Sequence, residues 1–336
     1  MKRFLLLFLI TFSSLKSEPI HLIFDTDMGN DIDDAMALAM IHALQDKGAV
    51  KLLAVTSTKN HPLSTAFIDC LNTFYGRPEI PVGAVSMGVT PEQGRYLGMA
   101  ELKDAHGRWI YPRGQKNGHK TREAVALLRK TLASQPDHSV TIAQVGFFTN
   151  LCKLLESQGD DVSPLNGYQL VQKKVKELGV MAGAFEEIDG NGRYLEYNVK
   201  MDLSSAQSLA KKWPGKIIWS GFEIGIAARY PWESIQKDYN YLSKHLIKEG
   251  YLAYCPKGEH RPTWDLTTVL QLVYPERSYF SLSEVGMVHI EDDAFTRFEI
   301  GKGQHQLIRM DEKQALRVRE AFVQLCSTPP AAFRGN

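Results

Sequence analysis

From residue 20 onward, short apolar runs alternate with amphipathic stretches. Residues 20–24 and 52–56 are apolar and rich in β-formers, and each run is followed by a helix-like stretch, 35–44 and 63–74. The alternation continues through 121–132 (helix-like), 140–145 (strand-like), 150–155 (helix-like), 176–181 (strand-like), 203–210 (helix-like) and 216–219 (strand-like). Strand then helix, repeated, predicts an α/β fold on an open, mostly parallel, doubly wound sheet with helices on both faces. Such sheets bind ligands beyond the carboxyl ends of their strands, so chemistry is expected in the loops that follow strands.

Two stretches depart from this pattern. Residues 88–120 are rich in glycine and charge and too long for a plain connection, which reads either as a lid or substrate loop or as a solvated insertion. After Tyr230-Pro231 an irregular, helix-rich section runs to about residue 275. Strand-like pieces around Val288 and Phe298 and a closing helix over 311–325 follow it. Nothing repeats at a solenoid period.

The first residues carry a different pattern. Met1-Lys2-Arg3, the apolar run 4–12 and the polar Ser13-Ser14-Leu15-Lys16-Ser17 follow the order of a secretory signal, with an apolar run too short to span a bilayer. The expectation is a removed signal over 1–17, a single α/β domain over 18–330, and a soluble protein exported to the periplasm or secreted. An uncleaved membrane anchor is the alternative, since the junction lacks a clean A-x-A. Export permits disulfides, yet Cys70, Cys152, Cys255 and Cys326 are widely scattered, three of them in apolar or aromatic surroundings, and four buried free thiols are expected.

Composition narrows the partners. The 336 residues are 44% hydrophobic and 23% charged, with 39 basic against 38 acidic side chains, as in an ordinary globular protein. A net charge of +1 with no local Lys/Arg run offers no field for a phosphate backbone, so nucleic acid is not an expected partner. No Cys/His cluster has zinc spacing.

The strongest chemical signal is Asp25-Thr26-Asp27-Met28-Gly29-Asn30-Asp31-Ile32-Asp33-Asp34, between the first strand and the helix that begins near Ala35. One or two carboxylates here read as helix caps. Five in ten residues repel one another, a repulsion that a bound cation or shared protons relieve. Oxygen-only donors select a hard ion, Ca²⁺ or Mg²⁺. Gly29 lets the loop fold back on itself.

Asp25-Thr26-Asp27, Gly29 and Asp33-Asp34-Ala35 resemble the amino-terminal fingerprint of the inosine–uridine-preferring nucleoside hydrolase family, in the variant whose loop carries two extra residues. Further segments match in the family's order. Residues 53–60 resemble its second strand and Asn-ending loop, Pro81-Val82-Gly83-Ala84 its third strand, and Val145-Gly146-Phe147-Phe148-Thr149-Asn150-Leu151 its Gly-x-Leu-Thr-Asn turn. Val180-Met181-Ala182-Gly183, then Glu196-Tyr197-Asn198 and Asp202, resemble its central substrate segment, and Trp264-Asp265 stands where a His-Asp pair is usual.

The resemblance implies Ca²⁺-dependent hydrolysis of the N-glycosidic bond of nucleosides to free base and ribose. It places the ion on Asp27, Asp34, Asp265 and the Val145 carbonyl, and makes Asp27 the general base that takes a proton from water. It assigns ribose hydroxyls to Asp33, Asn60, Glu196 and Asn198, the 5′ end to Asn191 and the sugar face to Met181. Carboxylates and amides suit a polyol, and carboxylates favour the positive charge that develops on the sugar. The two extra residues leave it open whether Asp31 or Asp33 meets the ribose. A small-molecule nucleoside is the expected partner, and a homo-oligomer is left open.

Several neighbouring motifs read as structural. Thr149-Asn150 reads as the cap of the following helix, Asp189-Gly190-Asn191-Gly192 as a turn rather than an EF-hand loop, and Glu223 as a structural acceptor. Trp264 departs from the family pattern, because an indole stacks on a base but cannot protonate it. His260, His106 and Tyr197 are the candidates for leaving-group activation. Two other functions stay open. Asp25-x-Asp27 also resembles the nucleophile motif of Mg²⁺-dependent haloacid-dehalogenase-like phosphatases, although Gly29 stands where that motif has Thr or Val. The other is an exported protein that binds a nucleoside or sugar without turnover.

Overall fold

The computed structural model describes residues 18–114, 121–255 and 258–333. The signal expected over 1–17 lies outside the described residues, as do positions 115–120 of the long glycine-rich stretch. In chain order the strands are β1 (Ile20–Thr26), β2 (Val50–Lys59), β3 (Val82–Val89), β4 (Arg122–Glu123), β5 (Val140–Gln144), β6 (Val175–Met181), β7 (Ile217–Ser220), β8 (Ser281–Leu282), β9 (Gly286–Ile290), β10 (Thr296–Ile300) and β11 (His305–Arg309). The helices are α1 (Asp33–Asp46), α2 (Pro62–Phe74), α3 (Ala124–Ala133), α4 (Thr149–Glu156), α5 (Gly167–Lys174), α6 (Tyr197–Met201), α7 (Leu203–Lys212), α8 (Phe222–Ala227), α9 (Trp232–Lys237), α10 (Leu246–Tyr254), α11 (Trp264–Val273) and α12 (Glu312–Cys326).

The strands form one sheet in the order β10-β9-β11-β7-β6-β5-β1-β2-β3-β4. Every neighbouring pair from β11 through β7, β6, β5, β1, β2, β3 to β4 is parallel, and the antiparallel pairs are confined to β8, β9 and β10 around β11. This is the predicted mostly parallel, doubly wound α/β sheet. Its central strands are apolar on both faces because helices cover both, as in β1, buried from Leu22 to Thr26. The chain builds outward from β1 through β2 to β4, then returns to the other side of β1 with β5. The topological switch point therefore lies between β1 and β5, and a crevice is expected past their carboxyl ends.

Helix α1 is apolar around its circumference and buried from Asp33 to Leu44. It packs against β2 and against helices α2, α10, α11 and α12, which leaves no face for water. Two apolar clusters, one on α1 and one around β5, β6 and α4, form the core. All four cysteines are free and buried, as expected.

Three local readings change. The stretch expected to be helical from residue 121 opens with the two-residue edge strand β4 before α3. Helix α5 and strand β11 had no clear pattern in the sequence, because α5 is short and β11 depends on pairing with β7. Finally, the described part of the 88–120 stretch is solvated over much of 91–95 and 101–109 but packs inward between them and at Tyr111. Tyr96, Leu97, Met99, Ala100 and Tyr111 are buried, and the turn Leu97–Glu101 packs against α2. No helix among the described residues is long and apolar enough to cross a membrane.

Candidate active site and metal centre

The loop from β1 to α1 is held by three contacts from one segment, residues 94–97. Gly29 has a φ of +118°, and a Cβ built there would stand 2.5 Å from Leu97 Cδ1. Gly94, at φ +75°, comes so close that its Cβ would lie 2.2 Å from the Gly29 carbonyl oxygen. The Tyr96 hydroxyl donates to the Asp31 carbonyl at 2.6 Å. Glycine is thus required here for close approach as well as for the turn, and the long glycine-rich stretch is the buttress that shapes the acidic loop.

Asp25 does not face the cavity. Its Oδ1 accepts from the Thr56 hydroxyl at 2.5 Å and from Asn150 Nδ2 at 2.8 Å, and burial pushes its carboxyl up to about 7. It ties β1 to β2 and α4. The nucleophile position of a haloacid-dehalogenase-like motif is therefore engaged away from the lining. Nor does Thr149-Asn150 cap α4, which has no side-chain cap of its own. Thr149 Oγ1 and the Phe148 N–H both donate to Asp202 Oδ2, at 2.6 and 3.0 Å, so a carboxylate from the α6–α7 junction sits at that positive helix end.

Past the ends of β1 and β5 opens a cavity of about 450 Å³. Its acidic part is lined by Asp27, Asp31, Asp33, Asp34, Glu196 and Asp265, with Asn30, Val145, Met181 and Asn198; its aromatic part by Tyr194, Tyr197, Phe222, Tyr254 and Trp264 beside Arg261. The first loop and the late Trp264-Asp265 motif converge through Asp33. Its Oδ2 accepts the backbone N–H of Trp264 at 2.9 Å and of Asp265 at 3.2 Å, which places a carboxylate at the start of α11. Carboxylate oxygens of Asp33, Asp34 and Asp265 all lie within 4.8 Å of one another.

This cluster is acidic and buried. Asp27, Asp33, Asp34 and Asp265 are each at most 5% exposed. Burial, then repulsion from neighbouring carboxylates, holds Asp34 and Asp265 well above the usual carboxylate range; burial and Asp31 do the same for Asp33, and burial pushes Asp27 up to about 6. Among the described residues Arg261 is the single cationic side chain in the lining, and it is paired with Asp31. Lys59, behind Asn30, adds a second positive charge near Asp27 and Asp34, and six lining carboxylates still outnumber these two committed cations, an excess that a divalent ion would relieve. The all-oxygen donor set suits a hard ion: Asp33, Asp34 and Asp265 are close enough to share one, and Asp27 and Val145, the other expected ligands, line the same cavity.

Asp27 lines the cavity without belonging to that trio. Its Oδ2 accepts from Asn30 Nδ2 at 2.6 Å, and Asn30 Oδ1 in turn accepts from Lys59 Nζ. The Val145 carbonyl accepts from Asn198 Nδ2 at 3.0 Å, and the Met181 carbonyl accepts from the same nitrogen at 3.1 Å. Glu196 caps α6, accepting the N–H groups of Asn198, Val199 and Gly183 at 2.9, 3.1 and 3.1 Å. Burial nonetheless pushes its carboxyl up to about 7.

The structure thus brings Asp27, Asp33, Asp34, Val145, Met181, Glu196, Asn198 and Asp265 to one cavity. Asn60 and Asn191 are not in its lining; both are exposed. Asn191 closes the expected turn, with Asp189 and Gly190 at positive φ and a bridge to Ile188. Of the three candidates for leaving-group activation, Tyr197 alone lines the cavity; His106 is exposed, and His260 accepts the Trp232 N–H at 3.1 Å. Trp264 stacks on Phe222 with centroids 5.1 Å apart and gives its Nε1–H to the Phe222 carbonyl at 2.8 Å. Asn30, Tyr194, Phe222, Tyr254 and Arg261 escaped the sequence reading, although Arg261 stands only three residues before Trp264.

The sequence model described as inosine-uridine preferring nucleoside hydrolase matches residues 22–318. An uncharacterized protein of Schizosaccharomyces pombe is 28% identical over 201 residues, a match that spans 56% of each chain, so the alignment reaches little more than half the length of that relative. Among solved structures, a plant nucleoside hydrolase superposes with a TM-score of 0.70 at 18% identity, over 93% of this chain and 100% of that one. An inosine-uridine preferring nucleoside hydrolase from Bacillus anthracis follows at TM-score 0.67 and 15% identity, over 92% and 99%. An inosine-guanosine nucleoside hydrolase gives 0.66 at 20% identity, over 90% and 98%. At these identities the superpositions establish the fold, and the family match over most of the chain establishes kinship. The chain belongs to the inosine-uridine preferring nucleoside hydrolase family, whose members are hydrolases acting on N-glycosyl bonds.

Proposed function

We propose that this protein hydrolyses the N-glycosidic bond of ribonucleosides to free base and ribose, with Ca²⁺ as its resident ion and Asp27 as general base. The observation that carries this reading is the convergence of Asp265 with Asp33 and Asp34, within 4.8 Å, on the cavity at the β1/β5 switch point. Ca²⁺ is favoured over Mg²⁺ because it accepts more oxygen ligands in less regular geometry, which suits a site that must also admit sugar hydroxyls.

Each side chain then has a task. When bound, the ion supplies positive charge that acidifies water and draws the ribose diol into place. Asp27, fixed by Asn30, accepts the proton of the attacking water. Glu196 and Asn198 are rigid on the start of α6 and face the sugar hydroxyls, with Met181 against the ring. The carboxylate-rich floor favours the oxocarbenium-like charge on the pentose as the base departs. The aromatic wall of Tyr194, Phe222 and Trp264 offers faces for a planar base. Export behind a cleaved amino-terminal signal belongs to the same proposal, and amino-terminal sequencing of protein recovered from outside the cytoplasm tests it.

The deciding experiment incubates the purified chain with inosine, uridine, adenosine and p-nitrophenyl riboside in the presence of CaCl₂ and follows reducing sugar. Ribose release that EGTA abolishes is expected. Intact nucleoside bound with measurable affinity would instead make the protein a binder without turnover.

A further inference from the structure

The cavity holds one fixed positive charge among its described lining residues. Arg261 Nε donates to Asp31 Oδ1 at 3.1 Å, its Nη2 donates to Asp31 Oδ2, and Nη2 lies 3.5 Å from the Tyr254 hydroxyl. The guanidinium carbon stands 5.0 Å from the Tyr254 ring centroid and 5.3 Å from that of Trp264. Asp31 is itself immobilised: its carbonyl accepts from the Tyr96 hydroxyl at 2.6 Å, and its Oδ1 accepts the Ile32 N–H at 2.6 Å. The guanidinium is thus gripped along one edge and flanked by two rings. Its remaining nitrogen, Nη1, makes no hydrogen bond to the described residues.

Of the candidates for leaving-group activation read from the sequence, Tyr197 alone lines this wall, and burial holds its phenol above the usual tyrosine range. No histidine lines the cavity among the described residues. The indole N–H of Trp264 is committed to the Phe222 carbonyl. Asp31 lies in the acidic loop, yet its side chain goes to Arg261 rather than to the carboxylate trio.

Resting on the hydrolase reading above, we propose that the Asp31–Arg261 pair stabilises the departing base, with Arg261 donating hydrogen bonds to an oxo-substituted nucleobase as the glycosidic bond breaks. When the C1′–N bond breaks, its electron pair goes to the base; the oxygen of water bonds to C1′ and its proton passes to Asp27. Arginine does not release a proton. The base therefore leaves as an anion paired with the guanidinium and takes a proton from solvent after release. Charge-assisted hydrogen bonds to a developing anion strengthen as the transition state forms, which is where a donor accelerates a reaction.

The pair also sets a preference. A guanidinium has donors only and fits a carbonyl oxygen beside a ring nitrogen, whereas an exocyclic amine in that place presents further donors. Oxo bases are also the more stable anions. Loss of the pair should therefore narrow any preference for an oxo base over an amino base.

The test uses the full chain with CaCl₂, the substrates inosine, adenosine and p-nitrophenyl riboside, and the variants Arg261→Gln and Asp31→Asn. Nitrophenolate is a stable anion at neutral pH and needs little help to leave. For Arg261→Gln the kcat on inosine is expected to fall about 10²-fold with KM little changed. The ratio of inosine to p-nitrophenyl riboside turnover should fall at least about tenfold, and the preference for inosine over adenosine should shrink. Asp31→Asn should move both ratios the same way by a smaller factor. A proportional loss on all three substrates, or an unchanged inosine kcat, overturns the inference while leaving the hydrolase reading intact. A wild-type protein that cleaves none of the three removes both.

Discussion

The carboxylate of Asp33 accepts the backbone N–H of Asp265 at 3.2 Å across 232 positions of sequence. With the matching bond from Trp264, this contact fixes the start of α11 against the start of α1 and sets the Asp265 side chain beside Asp34. The same side chain that assembles the cluster adds to its repulsion, so metal-free protein carries a stability cost at this point.

Asp265 makes that cost measurable. Burial, and then Asp33, Asp34 and Asp27, hold its carboxyl well above the usual range. Asp265→Asn removes one of these mutually repelling carboxylates without removing a side chain that holds the helix start. In EGTA the variant is expected to melt at or above the wild-type temperature. In CaCl₂ the order should reverse, because the wild type gains stability from the ion and the variant gains little. Thermal melts of both proteins in both buffers read this directly, and equal stabilisation of the two by CaCl₂ would remove Asp265 from the site.

Asp27 tests the chemistry separately from the site's assembly. It lines the cavity but lies outside the trio, and its one side-chain partner is Asn30. Asp27→Asn is expected to keep the melting temperature near wild type while lowering kcat by about 10²–10⁴-fold, the range for loss of a general base. Steady-state ribose release from inosine checks it, and a kcat within a few-fold of wild type would place the base elsewhere.

How far the sequence revealed this site depends on the range of each contact. The parallel sheet was legible because its strands carry continuous apolar runs between helix-like stretches. The acidic loop was legible because its carboxylates are adjacent in sequence. Asp265 entered only through the resemblance, since composition gives no reason to join it to a loop more than two hundred residues earlier. Asn60 and Asn191 followed from position in a motif; both are exposed and outside the cavity lining, at the bend after β2 and in a tight turn. Arg261 and Tyr254 carried no local signal: an arginine on a loop and a tyrosine at a helix end are commonplace, and only the fold sets them against Asp31. The stretch 88–120 looked polar because its buried residues are spaced among charges, yet Tyr96 and Leu97 shape the acidic loop.

That buttress is open to a single-atom test. Gly94 has φ +75°, and a Cβ there would fall 2.2 Å from the Gly29 carbonyl oxygen, a backbone atom that cannot swing aside. Gly94→Ala should cost about 2 kcal/mol or more in chemical denaturation. It should also weaken Ca²⁺-induced stabilisation, because the acidic loop must shift. Gly107→Ala supplies the control, having a similar φ of +78° with nothing within 4 Å of its Cβ. If both variants lose the same stability and retain the same response to CaCl₂, the effect is backbone strain alone and Gly94 has no part in shaping the loop.

A pH dependence independent of the carboxylates comes from His42 on α1. It is fully buried, stacked on Tyr75 at 4.9 Å, with Nε2 3.0 Å from Asn72 Oδ1 and Nδ1 3.4 Å from Arg77 Nη1. Arginine can only donate, so Nδ1 accepts, the proton sits on Nε2, and the ring is neutral. Burial, reinforced by the Arg77 charge, lowers its pKa from 6.5 to about 3. A histidine depressed on folding contributes its full stability above 6.5, where neither state is protonated. Below that value the unfolded chain takes up a proton that the folded protein refuses, and stability falls progressively until the folded pKa is reached. The slope is about 1.4 kcal/mol per pH unit for one proton. Urea unfolding of wild type and His42→Gln between pH 4 and 8 isolates this group, since the carboxylate contributions are common to both proteins and cancel in the difference. The difference is expected to be flat above about pH 6.5 and to shift steadily against the wild type on acidification. A difference that stays flat down to pH 4 would show that His42 is protonated within the fold.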